Sequence, residues 1–406
     1  QDADDAANDI AALYPGYQIK KVMWDAYTEQ TSSTGHSYPE VSNIIKQQQR
    51  NGALIMDYAG HGRVDQISHE GILKLTDFKE FTNKNLPLWI TASCDIMPFD
   101  GIEENVGEAA VLNEAGGAVA FFGTTRTVWA HANKVINMAF LRFVLAQDGG
   151  KAMTIGEAQR KAKNLMITSG RDRTTNNCLL YSLLGDPAIA LNQPQMKVVI
   201  DSINGQAVGS SLIALKAASI ARVSGHIENA AHFNGSMTAV VLDSKELVTC
   251  RENPSSEAYA PFKFYSRSKV IYSGSDSVVG GKFNFRFAVP VDLNYSADTC
   301  EMHVYAVNND HTLTAHGYSN SFVLNGSEAL TDTVGPKIFC YLNTPDFVSG
   351  GNVNTTPYFV AQLSDVNGIN ATGNGVGHNM QLIIDGKATE AYTLNEYFAY
   401  DFGTYT

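Results

Sequence analysis

Cys94 and His61 are the two residue types that perform acyl transfer as a pair. A cysteine thiol, with a pKa of about 8.5, is mostly protonated at neutral pH. A nearby imidazole takes that proton, or holds the thiolate as an ion pair, and creates a nucleophile. The same imidazole can then protonate a leaving amine. His61 stands between two glycines in "ALIMDYAGHG" (53–62), and Cys94 stands near the end of "LPLWITASCD" (86–95), 33 residues later. A glycine after the histidine lets a substrate carbonyl approach the backbone, so the amides of Gly62 and Cys94 are candidates for an oxyanion hole. Each motif is weak alone. Glycines mark any tight turn, and a lone cysteine is more often a small buried apolar residue.

Placement strengthens the pair. Residues 53–58 and 87–92 are continuous apolar runs, as buried parallel strands should be. A helix expected near 76–84 makes them a βαβ unit. If they are neighbours, about 4.8 Å apart, His61 and Cys94 both lie just past their carboxyl ends, where open α/β sheets build their sites.

The surrounding pattern fits such a sheet. The chain opens on "QDADDAANDIAALYP", which reads as an amphipathic helix. "QIKKVMW" (18–24) reads as a strand. In "YPEVSNIIKQQQRNG", Val41, Ile44, Ile45 and Gln48 share a helical face, with Pro39 in the first turn and Gly52 at the end. A helix near 105–115 and a strand at 117–122 follow. "TIGE" (154–157) is a capping-box pattern that opens a helix through Met166. This alternation to residue 192 predicts a mostly parallel sheet with helices on both faces.

After Pro194 the texture changes to short runs rich in Val, Ile, Tyr and Phe, broken by Gly, Asn, Asp and Ser. That spacing is all-β and sandwich-like. "LNGSEALTDTVGPKI" (324–338) reads as a second linker. The expected domains are therefore 1–192, a β-sandwich at 193–327, and a second, partial β domain at 328–406.

The bulk properties exclude some roles. A formal charge of −12 over 406 residues argues against nucleic acid as a partner. No apolar run is long enough to span a bilayer, and no signal peptide is evident. An opening helix with neither an initiator Met nor a strand before it suggests a piece of a longer protein. The five cysteines have no CxxC pair, which argues against a zinc ribbon. Cys250 and Cys300 could pair, and buried free thiols are an equal alternative. "SGSDSVVGG" (273–281) lacks the spaced carboxylates of an EF-hand.

An apolar block ending in His-Gly, followed by one ending in Ser-Cys, resembles the cysteine peptidases of the caspase-like clan and, within it, the gingipain family. "DYAGHG", the step from His61 to Cys94, "TTRTVWA" (124–130) and "LLGDPAIAL" (183–191) are all similar to that family. "HEGILKL", "GGAVAFFGTTRTVWAHAN" and "DVNGINATGNGVGHNMQLIIDG" are similar to its sortase-type branch in type IX secretion. The resemblance runs through the chain and implies that the first part of the catalytic region precedes residue 1. It implies a caspase-like catalytic fold followed by immunoglobulin-like β-sandwich domains. It makes Cys94 the nucleophile, His61 the general base, and Gly62 and Cys94 the oxyanion donors. Trp129 would border the specificity pocket, with a core aromatic as the equal alternative. The family orients its histidine with an upstream acid. Asp2 is one candidate for that role, and Asp57 should be turned away by strand alternation. His69 and Glu70 could shape the site, although a solvated loop pair is the commoner arrangement. His131 reads as a surface residue at a helix start and Asp186 as a turn former.

The implied function is removal of the C-terminal secretion signal from exported cargo, followed by transfer of the acyl group to an amine on surface lipopolysaccharide. The expected partners are cargo C-terminal domains, a lipopolysaccharide-type acceptor and other type IX components. The expected place is the outer face of a Gram-negative outer membrane. No cofactor is required, and a structural calcium is compatible with the resemblance. The alternatives are a secreted endopeptidase with basic-residue preference and a non-catalytic surface docking module.

Overall fold

The computed structural model describes residues 1–33, 35–170, 177–209, 211–251, 260–291, 298–329, 334–372, 379–387 and 391–406. The middle of the expected linker (330–333) and the Gly-Asn stretch 373–378 lie outside them. The chain divides into two compact units, one of residues 1–193 with 247–265 and the other of 194–246 with 266–406.

The first unit is α/β. Its elements are α1 (Asp2–Leu13), α2 (Pro39–Asn51), β1 (Ile55–Ala59), α3 (Leu75–Glu80), β2 (Leu88–Ala92), α4 (Val106–Val111), β3 (Ala120–Thr124), α5 (Ala130–Val144), α6 (Ile155–Thr168) and β4 (Tyr181–Gly185). The sheet order is β4-β3-β2-β1. β1, β2 and β3 run parallel and β4 antiparallel to β3. All five residues of β2 and of β3 are buried, which explains their unbroken apolar sequence. Helices cover both faces. Leu88, Ile90, Ala120 and Phe122 pack with residues of α1, α5 and α6, while Trp89 and Phe121 pack with residues of α3 and α4.

Capping fixes the helix starts. Thr154 accepts from the Glu157 amide at 3.2 Å, and Asn105 with Glu108 forms a reciprocal capping box. α3 and α4 are shorter than the sequence implies, six residues each.

The strand expected at 18–24 is absent. No sheet pairs with that segment, which carries only a short 3₁₀ turn at Trp24–Ala26. Its apolar residues are used in packing instead. Ile19 lies against the core on the α1 and α5 face, and Val22 and Trp24 lie against Tyr38, Val41 and Ile72. Apolar residues in that segment therefore mark packing against the cores, not a ladder.

The second unit is mostly antiparallel β. Its main strands are β5 (Met196–Ile203), β6 (Ile213–Ala217), β7 (Ile220–Ile227), β8 (Gly235–Leu242), β9 (Val270–Val278), β10 (Lys282–Ala288), β11 (Glu301–Asn308), β12 (Thr314–Ser319) and β13 (Phe322–Ser327). The main sheet runs β9-β8-β11-β12-β5-β7-β10, and β6 pairs with β13. Only the β5–β12 and β6–β13 pairings in this group are parallel. Ile369 and Tyr400 belong to the same core as these strands. All five cysteines are free thiols, including Cys250 and Cys300.

Candidate active site

The parallel register of β1 and β2 sets the site. Ala59 lies opposite Ala92, and Gly60 extends the ladder by donating its N–H to the Ala92 carbonyl at 3.2 Å. His61 and Cys94 each follow two residues past this matched pair. Both are thus delivered to the carboxyl end of the sheet.

Gly62 explains the second glycine. A Cβ built there would stand 2.8 Å from Ser93 Oγ and 2.9 Å from the Cys94 carbonyl oxygen. Only a residue without a side chain lets the histidine loop lie against the cysteine backbone. Gly62 pairs with Ile67, and the adjacent ladder bond runs from the Ser68 amide to the His61 carbonyl at 2.9 Å. Antiparallel alternation then aims the Gly62 N–H out of the hairpin. The Cys94 N–H has no acceptor among the described residues. These two amides are free to meet an oxyanion.

The His61 backbone is held twice. Its carbonyl accepts from the Tyr58 hydroxyl at 2.6 Å as well as from Ser68. Ser68 adopts a positive φ of 68°, and its hydroxyl donates to Glu70. Burial, reinforced by the Glu70 charge, pushes the Tyr58 pKa far upward, so the phenol stays a donor. The His61 ring itself is exposed and stacks on the exposed His69 ring, with centroids 4.5 Å apart and planes 8° apart. Among the described residues no side chain hydrogen-bonds to the His61 imidazole.

Cys94 is half-buried, and its thiol faces the Val128 carbonyl oxygen at 3.5 Å. The turn after it is tight. Asp95 has φ 47°, its amide donates to Arg126, and its carboxylate accepts from Thr127 at 2.7 Å. Segment 124–129 thus wraps the cysteine from the next strand. Trp129 ends that wrap at the start of α5, where it is 62% exposed. The Asn177 amide holds the Trp129 carbonyl at 2.9 Å. His131 is exposed two residues on, and Asp186 accepts from the Ala188 amide at 2.8 Å, as a turn residue does.

The acids go elsewhere. Asp2 pairs with Lys134 at 3.2 Å. Asp57 points to the α5 side, where Asn137 donates to it at 3.2 Å. Desolvation by the surrounding protein pushes the Asp57 pKa up to about 7, against the lowering by the Asn137 hydrogen bond, although part of the residue's surface is open to solvent. Tyr181 is fully buried, and that burial pushes its pKa well up. The hydroxyls of Tyr181 and Ser93 and the Asn137 carbonyl oxygen have no hydrogen-bond partner among the described residues. This polar cluster escapes a linear reading because it joins segments distant in sequence, whereas His69, close to His61 in the chain, is among the residues the sequence offers for shaping the site. No group of three or more His, Cys, Asp or Glu suited to a metal occurs among the described residues.

Residues 1–192 match the family described as Peptidase family C25. Residues 1–192 belong to peptidase family C25. It is a family of cysteine peptidases, with gingipains among its members. The C25 region is the parallel α/β part of the chain, and a mostly antiparallel β part follows it. Among solved structures, the chain is similar to dimeric latent PorU from Porphyromonas gingivalis, with 32% identity over 70% of this chain and 27% of that one, and a TM-score of 0.37. It is also similar to the complex of RgpB pro- and mature domains from the same organism, with 14% identity, 70% and 57% coverage, and a TM-score of 0.35. The Arg-specific cysteine proteinase gingipain R (RgpB) gives 13% identity, 74% and 65% coverage, and a TM-score of 0.35. The chain thus spans about a quarter of the PorU chain's length. No curated protein matches. No described helix is long and apolar enough to cross a membrane.

Proposed function

We propose that this chain carries the catalytic dyad of a sortase-like cysteine endopeptidase acting on protein substrates. His61 accepts the Cys94 proton, and the thiolate attacks the scissile carbonyl. The amides of Gly62 and Cys94 receive the negative oxygen. His61 then protonates the departing amine, leaving an acyl group on Cys94. Water or an incoming amine releases it, with His61 taking the proton from either. Trp129 borders the substrate side chain. No cofactor is called for in this sequence of steps.

The observation that carries this reading is the register of Ala59 with Ala92, which sends His61 and Cys94 to the same sheet end with Gly62 against the Cys94 carbonyl.

The finer reading rests on the sequence blocks that resemble the sortase-type branch. The substrates are then the C-terminal signals of type IX cargo, and the acceptor is an amine on lipopolysaccharide at the outer-membrane surface. In the same reading the β region is built of immunoglobulin-like sandwiches that dock the cargo or other secretion components.

The test uses the full-length natural protein. Iodoacetamide should label Cys94 selectively, and His61→Ala should abolish that selectivity. Mass spectrometry of a cargo C-terminus after incubation with a candidate amine should show an amide adduct. A free carboxylate after Lys or Arg would point instead to a basic-specific endopeptidase. Absence of selective labelling, or normal trimming of cargo in cells carrying only Cys94→Ala, would remove the enzymatic reading in favour of a docking module.

A further inference from the structure

The second unit leaves two arginines without counter-charges. Arg222 of β7 and Arg286 of β10 are direct cross-strand partners. Such pairs have Cβ atoms about 4.5–5.5 Å apart, and like charges at that spacing are destabilising. Both side chains are exposed, and among the described residues neither forms an ion pair. Two other basic residues of the same sheet have acidic partners. Lys197 pairs with Glu228 at 2.9 Å, and His226 with Asp201 at 2.9 Å. In a chain with a formal charge of −12, two adjacent unneutralised guanidinium groups are a local inversion of sign.

The two arginines line an open groove of about 390 Å³. The Arg286 guanidinium lies over the Tyr405 ring, 5.4 Å from its centroid, which restrains the fork without neutralising it. The one carboxylate of the lining, Asp276, is engaged by the Ser277 amide at 2.6 Å. Ser224 and Asn284 add neutral polar groups to the walls, and Ser224 Oγ is hydrogen-bonded to Ser202 Oγ at 2.7 Å.

We propose that this groove binds a phosphate monoester on a sugar-sized carrier. A tetrahedral dianion supplies enough acceptor oxygens and charge to engage both arginine forks at once, which a single carboxylate does not. The groove is larger than a phosphate ion requires. The remaining space, with Tyr405, Ser224 and Asn284 on its walls, suits a polar ring.

Isothermal titration calorimetry at low ionic strength tests this on the whole chain, with glucose 6-phosphate, inorganic phosphate and glucose as probes. Glucose 6-phosphate should bind saturably, at least tenfold tighter than inorganic phosphate, and glucose should not bind detectably. Arg222→Gln and Arg286→Gln should each weaken binding tenfold or more. Each should melt at or above the parent temperature, because the repulsion is gone. Asp276→Asn, which removes the only negative charge of the lining, should tighten binding severalfold. Equal affinity for inorganic phosphate would overturn the sugar-sized carrier. Absence of saturable binding, or binding indifferent to both arginine variants and to Asp276→Asn, would overturn the site itself.

Discussion

The His61 and His69 rings lie face to face, 4.5 Å apart and 8° from parallel. His61 has no hydrogen-bonding acid among the described residues, so this stack and the doubly held backbone carbonyl are what orient its ring. An aromatic contact of this kind contributes about 0.5–1.5 kcal/mol. His69→Ala in the full-length enzyme should therefore lower kcat by about fivefold with KM little changed. His69→Phe, which keeps the flat ring and removes the second imidazole, should restore most of the rate. Steady-state kinetics of the two variants checks this, and equal losses in both would show that stacking is not the device.

Gly62 lies against Ser93 and the Cys94 carbonyl, between the segments that carry His61 and Cys94. Gly62→Ala places a methyl group within 2.9 Å of Ser93 and the Cys94 carbonyl. The backbone must shift, at a cost of about 1–3 kcal/mol. The expected result is a modest fall in melting temperature with a loss of labelling rate at Cys94 greater than tenfold. A variant with wild-type alkylation kinetics would show that the contact is slack.

Asp57 should give stability a pH dependence of unusual sign. Its carboxyl titrates near 7 in the fold, well above its ordinary value of 3.8. The native state then binds the proton more tightly than the unfolded chain does. Stability is fullest below about pH 4 and declines as pH rises through about 7. Urea midpoints between pH 4.5 and 8 should fall with pH in the parent and change less in Asp57→Asn.

Tyr181 is fully buried, and its hydroxyl has no partner among the described residues. An unsatisfied buried hydroxyl costs about 1–3 kcal/mol. Tyr181→Phe keeps the ring packed on Phe122, 5.2 Å away, and removes the penalty. Its melting temperature should equal or exceed that of the parent. A clear fall would place a bound water or a hidden partner at the hydroxyl.

Trp129 is exposed beside the wrap that carries Val128, and in the proposed function it borders the substrate. Trp129→Ala should raise KM several-fold and spare kcat. A change confined to melting temperature would return it to a packing role.

Much of this architecture is legible in the linear chain where apolar runs are long and fully buried. Residues 88–92 are such a run, and their pairing with 55–59 follows from the βαβ pattern. The Thr154 cap is equally plain. Residues 18–24 mislead because Val22 and Trp24 stand at a strand's spacing, while Ile19 and that pair pack on different cores. The polar cluster is invisible in sequence because Asp57 meets Asn137 across 80 residues. Arg222 and Arg286 become neighbours only through β-sheet register.

Cys94 and His61 stand on unequal footings. Cys94 follows a strand in which every residue is buried, whereas His61 leads into a sheet whose three members are two residues long each. Local opening is cheapest where ladders are shortest. Gentle heating should therefore silence turnover while the surrounding scaffold still gives a native spectrum, and cooling should bring the rate back.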